Sequence, residues 1–537
     1  MGWSDEGMPR DIRAYHRRTK HAAHRYALGP AFLDWTSQPN PFRRFDGARS
    51  VPLPLGTDRP TPPFHTLARL DGVAAQPLSA AAIGLFLELA LGVSAWKAVD
   101  GAQWAVRNNP SSGNLHPTEG YALLPPVDGI GDAPALYHYA PADHALEERC
   151  RLDRFPALPD GGFLVALSSV AWREAWKYGE RAFRYCQHDV GHAVGALSYA
   201  AACLGWRVTV QARPGDAAVE RLLGLDREDA WHRHEQEHPD LLAVVAPEPV
   251  DSVALGGLNG QWSGTANRLS EDHDPWPAVD LAARYSYKTD NPPVPTDDGA
   301  VTAPAFPAAD APAGTVIRRR RSAVRMDGTT PLERAAFFRI LAATLPDRTL
   351  IPWSGFPWPP RLALFLFVHR VTGLEPGLYA LIRDPASLER LRAAANPAFL
   401  WQPVDDCPLP LFLLRADTVE RNAAQLSCLQ AIAGKGAFSL GMVADFDRTL
   451  REEGDWAYRR LFWEAGLIGQ ILYVEATAAG VSGTGLGCFF DDGVHDLLGL
   501  TAATQEAMEW QSLYHFTVGT AVEDERVLTL PAYPPDR

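Results

Sequence analysis

The sequence predicts an α+β protein built as two similar halves, and three observations carry that reading. Short apolar runs of strand length and long stretches with helical spacing occur in both halves. Residues 286–314 are dense in proline, alanine and aspartate, with almost no large apolar side chain after Tyr287, and read as a linker. The sequence on its two sides matches itself without a gap. With Gly179 set on Gly454, Ala182 meets Ala457, Phe183 meets Tyr458, Arg184 meets Arg459, Asp189 meets Glu464, Gly191 meets Gly466 and Gly205 meets Gly480. The match ends with Val219-x-x-Leu222-Leu223-Gly224-Leu225 on Val494-x-x-Leu497-Leu498-Gly499-Leu500. A repeat of domain size implies two copies of one fold rather than a solenoid. The expected divisions are 1–285, the linker 286–314, and 315–537.

The chain has 537 residues, enough for more than one core. Its formal charge of −14 argues against nucleic acid or an anionic membrane as the main partner. The cysteines, at 150, 186, 203, 407, 428 and 488, include no Cys-x-x-Cys pair. Neither a zinc site nor a redox dithiol is indicated, and scattered thiols fit the reducing cytoplasm. The N-terminus, 1–25, is charged and histidine-rich and lacks the apolar region of a signal peptide. No run of about 18 apolar residues suggests a membrane span. We expect a cytoplasmic protein.

Taken in order, residues 10–30 are basic, with Tyr15-His16-Arg17-Arg18-Thr19-Lys20-His21 at their centre, and 37–64 are proline-rich and irregular. The spacing of Leu85, Phe86, Leu89 and Leu91 predicts a helix over 78–96, capped by Ser79. Strands are expected at 121–124, 135–139 and 163–168. A helix follows over 178–204, whose small residues Gly191, Gly195, Ala196, Ala200 and Ala201 permit close approach of a partner helix. A second folded unit starts near Val316, with helices over 332–345 and 456–479 and strands at 362–368, 377–381 and 513–518.

One stretch organises the rest: Arg107-Asn108-Asn109-Pro110-Ser111-Ser112-Gly113-Asn114-Leu115-His116-Pro117-Thr118-Glu119. Two prolines fix the backbone around small hydroxyl and amide groups, and glycine admits a flat ring or another backbone. Such donors and acceptors suit the heteroatom edge of a planar cofactor. A bare Pro-Ser-Ser-Gly also reads as a polar loop leading into a strand. The whole string resembles the Arg-x-x-Pro-Ser-Ser-Gly-Asn-x-x-Pro segment of the FMN-dependent nitroreductase superfamily, in the form found in SagB/ThcOx-type azoline dehydrogenases. The fold implied is two nitroreductase-like domains, each an antiparallel or mixed sheet flanked by helices, forming a pseudo-dimer within one chain.

The resemblance assigns FMN binding to Arg107, Pro110, Ser111, Ser112 and Asn114 of the loop. It adds the Arg320-Arg321-Ser322 segment for the phosphate and ribityl chain, Gly483-Thr484-Gly485-Leu486-Gly487 along the ring, and Arg526 at the C-terminal phosphate end. Glycines by themselves also read as a plain turn, and the basic run 318–321 as a solvated face. In the second half the loop becomes Pro352-Trp353-Ser354-Gly355-Phe356 with Pro359, keeping the frame and losing the polar groups. The first half lacks the glycine segment, having Val208-Thr209-Val210-Gln211-Ala212 instead. Since the family builds each site from two subunits, the resemblance implies one good FMN site across the halves. A weak or empty reciprocal site would pair Arg17, Arg18 and Lys20 with 352–359.

Dehydrogenation needs a base beside the flavin. Lys177-Tyr178 resembles the Lys-Tyr pair of azoline dehydrogenases and is the candidate catalytic pair, although an ordinary surface lysine beside a half-buried tyrosine has the same appearance. Such a lysine must be kept from staying protonated, by burial or by a cation such as Arg181. His116, His188 and His192 are alternatives. His188 and His192 have metal-ligand spacing but no evident third ligand, so no metal is expected. Asp491-Asp492 reads as turn chemistry. The expected function is oxidation of an azoline or related heterocycle in a peptide or small molecule. The alternatives are a NAD(P)H-dependent nitroreductase or ene-type reductase, and a non-catalytic scaffold for a biosynthetic partner protein. No nucleic-acid or membrane partner is expected.

Overall fold

The structure is a computed structural model that describes residues 7–56, 59–294, 301–306, 310–500 and 508–534. Six strands form the frame of the first half: β1 (Thr118–Leu124), β2 (Ala135–Ala140), β3 (Ala145–Leu152), β4 (Phe163–Ser169), β5 (Arg207–Val210) and β6 (His238–Ala246). They lie in the order β3-β2-β1-β4-β6-β5, with Gly260–Trp262 and Arg49–Pro52 added on β3. Helices α1 (Ala171–Tyr178), α2 (Ala182–Ala202) and α3 (Asp216–Leu223) accompany them. The second half repeats the plan with β7 (Leu362–Val368), β8 (Gly377–Leu381), β9 (Leu411–Ala416), β10 (Phe438–Asp445), β11 (Ser482–Leu486) and β12 (Trp510–Gly519). Their order is β9-β8-β7-β10-β12-β11, which is the order of the first half. Its helices are α4 (Phe446–Glu453), α5 (Ala457–Ala478) and α6 (Asp491–Leu498). Every strand pair in both large sheets is antiparallel. The ungapped correspondence therefore runs from Phe163 on Phe438, further back than the sequence match alone.

The expected small-residue face decides how the halves meet. All of α2 is buried, and it crosses α5 where Gly191 faces Gly466. A Cβ on Gly191 would stand 2.9 Å from the Gly466 Cα, and one on Gly466 would stand 3.0 Å from the Gly191 Cα. Only hydrogen at both positions permits this approach. A single apolar core spans the crossing, from Ile83 and Leu89 in one half to Leu472 and Phe516 in the other.

Each half lends its leading arm to the other. Helix Ile12–Arg18 lies on the second half, where Arg13 meets Asp447 and Asp455. The His21 N–H donates to Asp491 (2.9 Å), and the Asp491 N–H returns to the His21 carbonyl (3.0 Å). Helix Pro277–Tyr285 leads to the same arrangement on the first half: Lys288 N–H to Asp216, and Asp216 N–H to the Lys288 carbonyl, both 2.9 Å. Helix Pro277–Tyr285 and its following segment thus stand to the first half as Ile12–Arg18 and its following segment stand to the second. The linker is also less free than its composition suggests. Val301, Ala303 and Phe306 pack on the main core, while 295–300 and 307–309 lie outside the described residues.

The helix expected over 78–96 ends at Leu91. Gly92 stops it, and Val93–Val99 pairs as a strand with Ala102–Arg107 and with Leu528–Leu530 from the C-terminal tail. Asp100 (φ 48°) and Gly101 (φ 84°) make the tight turn of a local hairpin between Val93–Val99 and Ala102–Arg107, whereas the third strand lies 430 residues on, beyond the reach of local spacing.

Candidate functional site

Strand Ala102–Arg107 delivers the organising loop, and three residues with left-handed backbone shape it: Gly113 (φ 59°), Asn114 (φ 60°) and His116 (φ 54°). Its polar side chains face inward and hold its form. Ser111 Oγ accepts from the His116 N–H (2.8 Å), and Asn114 Nδ2 donates to the Ala105 carbonyl (2.8 Å). Ser112 donates from its N–H (3.1 Å) and its Oγ (3.2 Å) to Asp189 on α2. Burial pushes the Asp189 carboxyl up to about 7, against the opposing pull of its bonds to Ser111 and Ser112.

Gly113 touches the candidate catalytic pair. A Cβ there would lie 2.5 Å from Tyr178 Oη and 3.1 Å from Lys177 Nζ. Helix α1 thus presents Lys177 and Tyr178 beneath the loop, and both are half-buried. Burial raises the Tyr178 phenol well above its ordinary value, with Glu174 adding to the effect. Arg181 is engaged elsewhere, on the Thr19 carbonyl (2.6 Å), Asp491 (3.0 Å) and the Gly487 carbonyl (3.1 Å).

The segments from the second half meet this loop. Ser322 pairs with Gly483 as an isolated bridge, and the Ala323 N–H donates to the Gly483 carbonyl (3.0 Å). Tyr473 on α5 ties both strands together: its Oη lies 2.8 Å from Ser322 Oγ and accepts from the Gly485 N–H at 2.9 Å. Arg320 lies over the Tyr473 ring at 5.0 Å and donates to the Arg107 carbonyl at 2.7 Å. It is 3% exposed, yet its Nε and Nη1 have no partner. Arg321 holds the carbonyls of Arg318, Arg320 and Ser94. The side chain of Arg107 turns to the Pro41 carbonyl, so the loop offers its backbone rather than its guanidinium to Arg320.

The glycines at 483, 485 and 487 have a different immediate use from the one expected. A Cβ at each would strike Phe516, Tyr514 and Tyr185 respectively. Tyr185 Oη donates to the Gly487 carbonyl (3.3 Å), and its ring meets Tyr178 at 4.6 Å. Tyr514 stacks on His188 at 4.1 Å and shares a hydrogen bond of 3.0 Å with His192 Nε2. Buried Thr484 and Leu486 belong to strand β11, paired with β12. His188 Nε2 bonds the Leu513 carbonyl, and no metal-holding group of three His, Cys, Asp or Glu side chains occurs among the described residues. His116 is buried with both ring nitrogens unpartnered, and burial lowers its basicity strongly.

Arg526 lies in the loop whose Ala521 and Val522 pair with Met326 and Arg325. Its side chain is exposed and paired with Asp524 (2.6 Å), two residues back in the same loop. Asp491 is not a turn residue but a buried acceptor for Arg181 and Arg184 (3.0 and 2.8 Å), and these partners hold its carboxyl far below the carboxylate range against burial. Its counterpart Asp216 accepts from Arg459, the counterpart of Arg184, at 2.7 Å. The expectation of scattered reduced thiols is corrected at one pair. Cys428 and Cys488 form a disulfide with a Cα–Cα distance of 5.8 Å, which fastens the end of the glycine segment to the chain after residues 420–426. Sequence separation of 60 hides such a pair.

At 352–359 aromatic side chains replace the polar loop. Trp358 packs on Trp456 and Trp463 at 5.6 and 5.8 Å, Trp353 is buried, and Arg348 caps the carbonyls of Trp353, Phe356 and Trp358. Arg17, Arg18 and Lys20 are turned to Met508, Glu180 and Asp492. The side chains that sequence reading passed over, Tyr185, Tyr473 and Tyr514, sit on the helices and strand opposite the loop.

Residues 74–232 match the profile of the nitroreductase family. Over that segment the chain is similar to a nitroreductase-family domain. A "putative nitroreductase" of Methanocaldococcus jannaschii is 26% identical over 188 residues, which are 34% of this chain and 82% of that protein. The crystal structure of a "putative nitroreductase" from Anabaena variabilis superposes with a TM-score of 0.65 at 20% identity, over 95% of this chain and 100% of that one. The nitroreductase fold therefore extends over both halves, and the family supports a flavin-type oxidoreductase. No helix among the described residues is long and apolar enough to cross a membrane.

Proposed function

We propose that this chain is a cytoplasmic FMN-dependent oxidoreductase of the SagB/ThcOx type, produced by tandem duplication, that oxidises an azoline or related heterocycle in a peptide or small molecule. The observation that carries it is the meeting of Arg320 with the Arg107 carbonyl. This contact joins the polar loop of one half to the basic and glycine segments of the other around buried donors that lack partners. An anionic, flat, heteroatom-rich group fits those donors. Arg320, Arg321 and Ser322 would hold its phosphate end, while Pro110–Asn114 and 483–487 would flank its ring.

Bound FMN would supply the hydride acceptor. The chain's own part is to shield the site and move a proton. The tyrosines at 185, 473 and 514 wall it off from water, and Lys177, with Tyr178 beside it, takes a proton from the substrate at Nζ. The aromatic filling of 352–359 supports one FMN per chain. Recognition of a peptide substrate would fall to a partner protein.

Flavin released by heat from the purified protein tests this reading. About one FMN per chain, lost in Arg320→Ala and Asn114→Ala, is the expected result. Lys177→Ala and Tyr178→Phe should retain FMN and lose oxidation of a thiazoline-containing peptide. Two FMN per chain would overturn the single-site reading, and none after FMN addition would overturn the oxidoreductase reading.

A further inference from the structure

The two halves differ in one connection. In the first, β3 passes to β4 through residues 153–162, which hold no helix. In the second, β9 passes to β10 through residues 417–437, which hold helices Glu420–Leu426 and Ala431–Lys435. The turn between these helices reaches the glycine segment. The Phe490 N–H donates to the Leu426 carbonyl (2.8 Å), Gln430 Nε2 donates to the Cys488 carbonyl (3.1 Å), and Cys428 is joined to Cys488. Arg213 takes the place of Cys488 in the first half. There the neighbouring strand meets the aromatic loop directly, since a Cβ on Gly355 would collide with the Val208 carbonyl. The added turn and its disulfide therefore stand on the site that keeps its polar loop.

The turn is held against its own backbone preference. Cys428 (φ 53°) and Leu429 (φ 62°) are consecutive left-handed residues, which side chains other than glycine disfavour. Leu429 is 69% exposed, so burial gives nothing in return. The flanking helices have their own anchors in Val419, Ala423 and Ala433, and the disulfide fastens the turn rather than the helices. Both of its cysteines are half-buried, whereas Cys150, Cys186 and Cys203 are buried, so a thiol in solution meets this pair before those. The residues beside Cys488 lead into the site. The Gly487 carbonyl accepts from Arg181 and Tyr185, and the Tyr185 ring meets Tyr178. Phe489 lies between the His515 ring (4.5 Å) and the Arg181 guanidinium (4.9 Å).

We infer that Cys428–Cys488 is a redox-modification site, reduced by a dithiol, that sets whether the glycine segment is held in place for FMN. This rests on the proposed flavin site. A disulfide in a reducing compartment is transient or senses the redox state, and this one spans the turn and the segment it steadies. The exchange balances without the flavin. A thiolate of the dithiol attacks one sulfur of the pair, the S–S bond breaks, and the departing cysteine thiolate takes a proton. The second thiol of the reagent then displaces the remaining cysteine, which takes the second proton. Two electrons and two protons reach the pair, and the reagent leaves as its own disulfide. With the bond open, Cys428 and Leu429 relax from left-handed backbone, Gln430 leaves the Cys488 carbonyl, and Gly487 to Phe489 loosen beneath Tyr185.

The full wild-type chain, equilibrated with oxidised glutathione or with reduced dithiothreitol, tests this. Thiol labelling with mass spectrometry reads the pair, hydrogen exchange at the Phe490 amide reads the segment, and ultrafiltration in the dark reads FMN binding. Reduction should speed exchange at Phe490 about tenfold and weaken FMN binding about fivefold. Cys428→Ser should show the reduced values in both buffers, and Cys407→Ser the wild-type response. Because the wild type alone supplies both states, a variant that fails to fold leaves the test intact. Free thiols at both positions in oxidised glutathione would overturn the inference. So would reduction of the pair with Phe490 exchange within twofold of the oxidised value, or with unchanged affinity in a chain that binds FMN. Faster Phe490 exchange on reduction, in a chain that binds no FMN in either buffer, would instead sustain the redox site and sink the flavin reading.

Discussion

Gly191→Ala tests whether the helix crossing holds the site together. The added Cβ would sit 2.9 Å from the Gly466 Cα and press on the Trp463 carbonyl. Carbon atoms rest at about 3.5–4.0 Å, so the helices must part by about 0.6–1.1 Å. Both neighbours are backbone, and no side chain can swing aside. Overpacking of this kind costs about 1–3 kcal/mol. Melting followed by circular dichroism should show a fall of several degrees. FMN affinity should drop about tenfold, or 1.4 kcal/mol, because Ser112 and Asp189 lie on one side of the crossing and Arg320 and Tyr473 on the other. Gly466→Ala should act alike, and the double variant should lose less than the sum of the two, since one separation relieves both contacts. Gly256→Ala, with nothing within 4 Å, is the control. Wild-type melting and FMN affinity in both single variants would refute the reasoning.

Three further outcomes follow from the buried charges. Asp491→Asn, which leaves Arg181 and Arg184 without their carboxylate, should cost about 3–5 kcal/mol in urea unfolding, and Asp216→Asn less, because it releases one arginine. Burial raises Asp240 to about 7. The folded state therefore binds more protons than the unfolded state from about pH 4 to 7, and stability falls as pH rises through that window. The fall should be shallower in Asp240→Asn when unfolding is measured at pH 5 and 8. Burial, with Arg459 beside it, lowers Lys288 to about 7. Here the folded state binds fewer protons from about pH 7 to 10, so stability rises across that window. Lys288→Met should raise Tm, with a larger gain at pH 6 than at pH 10; equal gains would disprove the charge penalty.

Several parts of this protein were legible in its residues. The Ser79 cap, the long helices and most strands follow from local spacing, which needs only neighbours within a few residues. The repeat was legible because the matched glycines at 205 and 480, and at 224 and 499, keep left-handed backbone in both halves and so resist replacement. The loop 107–119 and Arg320 were identifiable because their chemistry is compact in sequence.

What local order could not convey is which distant surfaces close on one another. The docking of Lys288 on Asp216, 72 residues back, has no local signal. Cys428 and Cys488 stand 60 residues apart, so nothing local marked their pairing. By itself, then, the sequence determined two copies of an α+β fold, with a polar loop in one and a basic segment in the other. Tertiary structure alone decided that Gly191 and Gly466 bring those pieces together, because burial and contact depend on packing across hundreds of residues rather than on the period of any helix or strand.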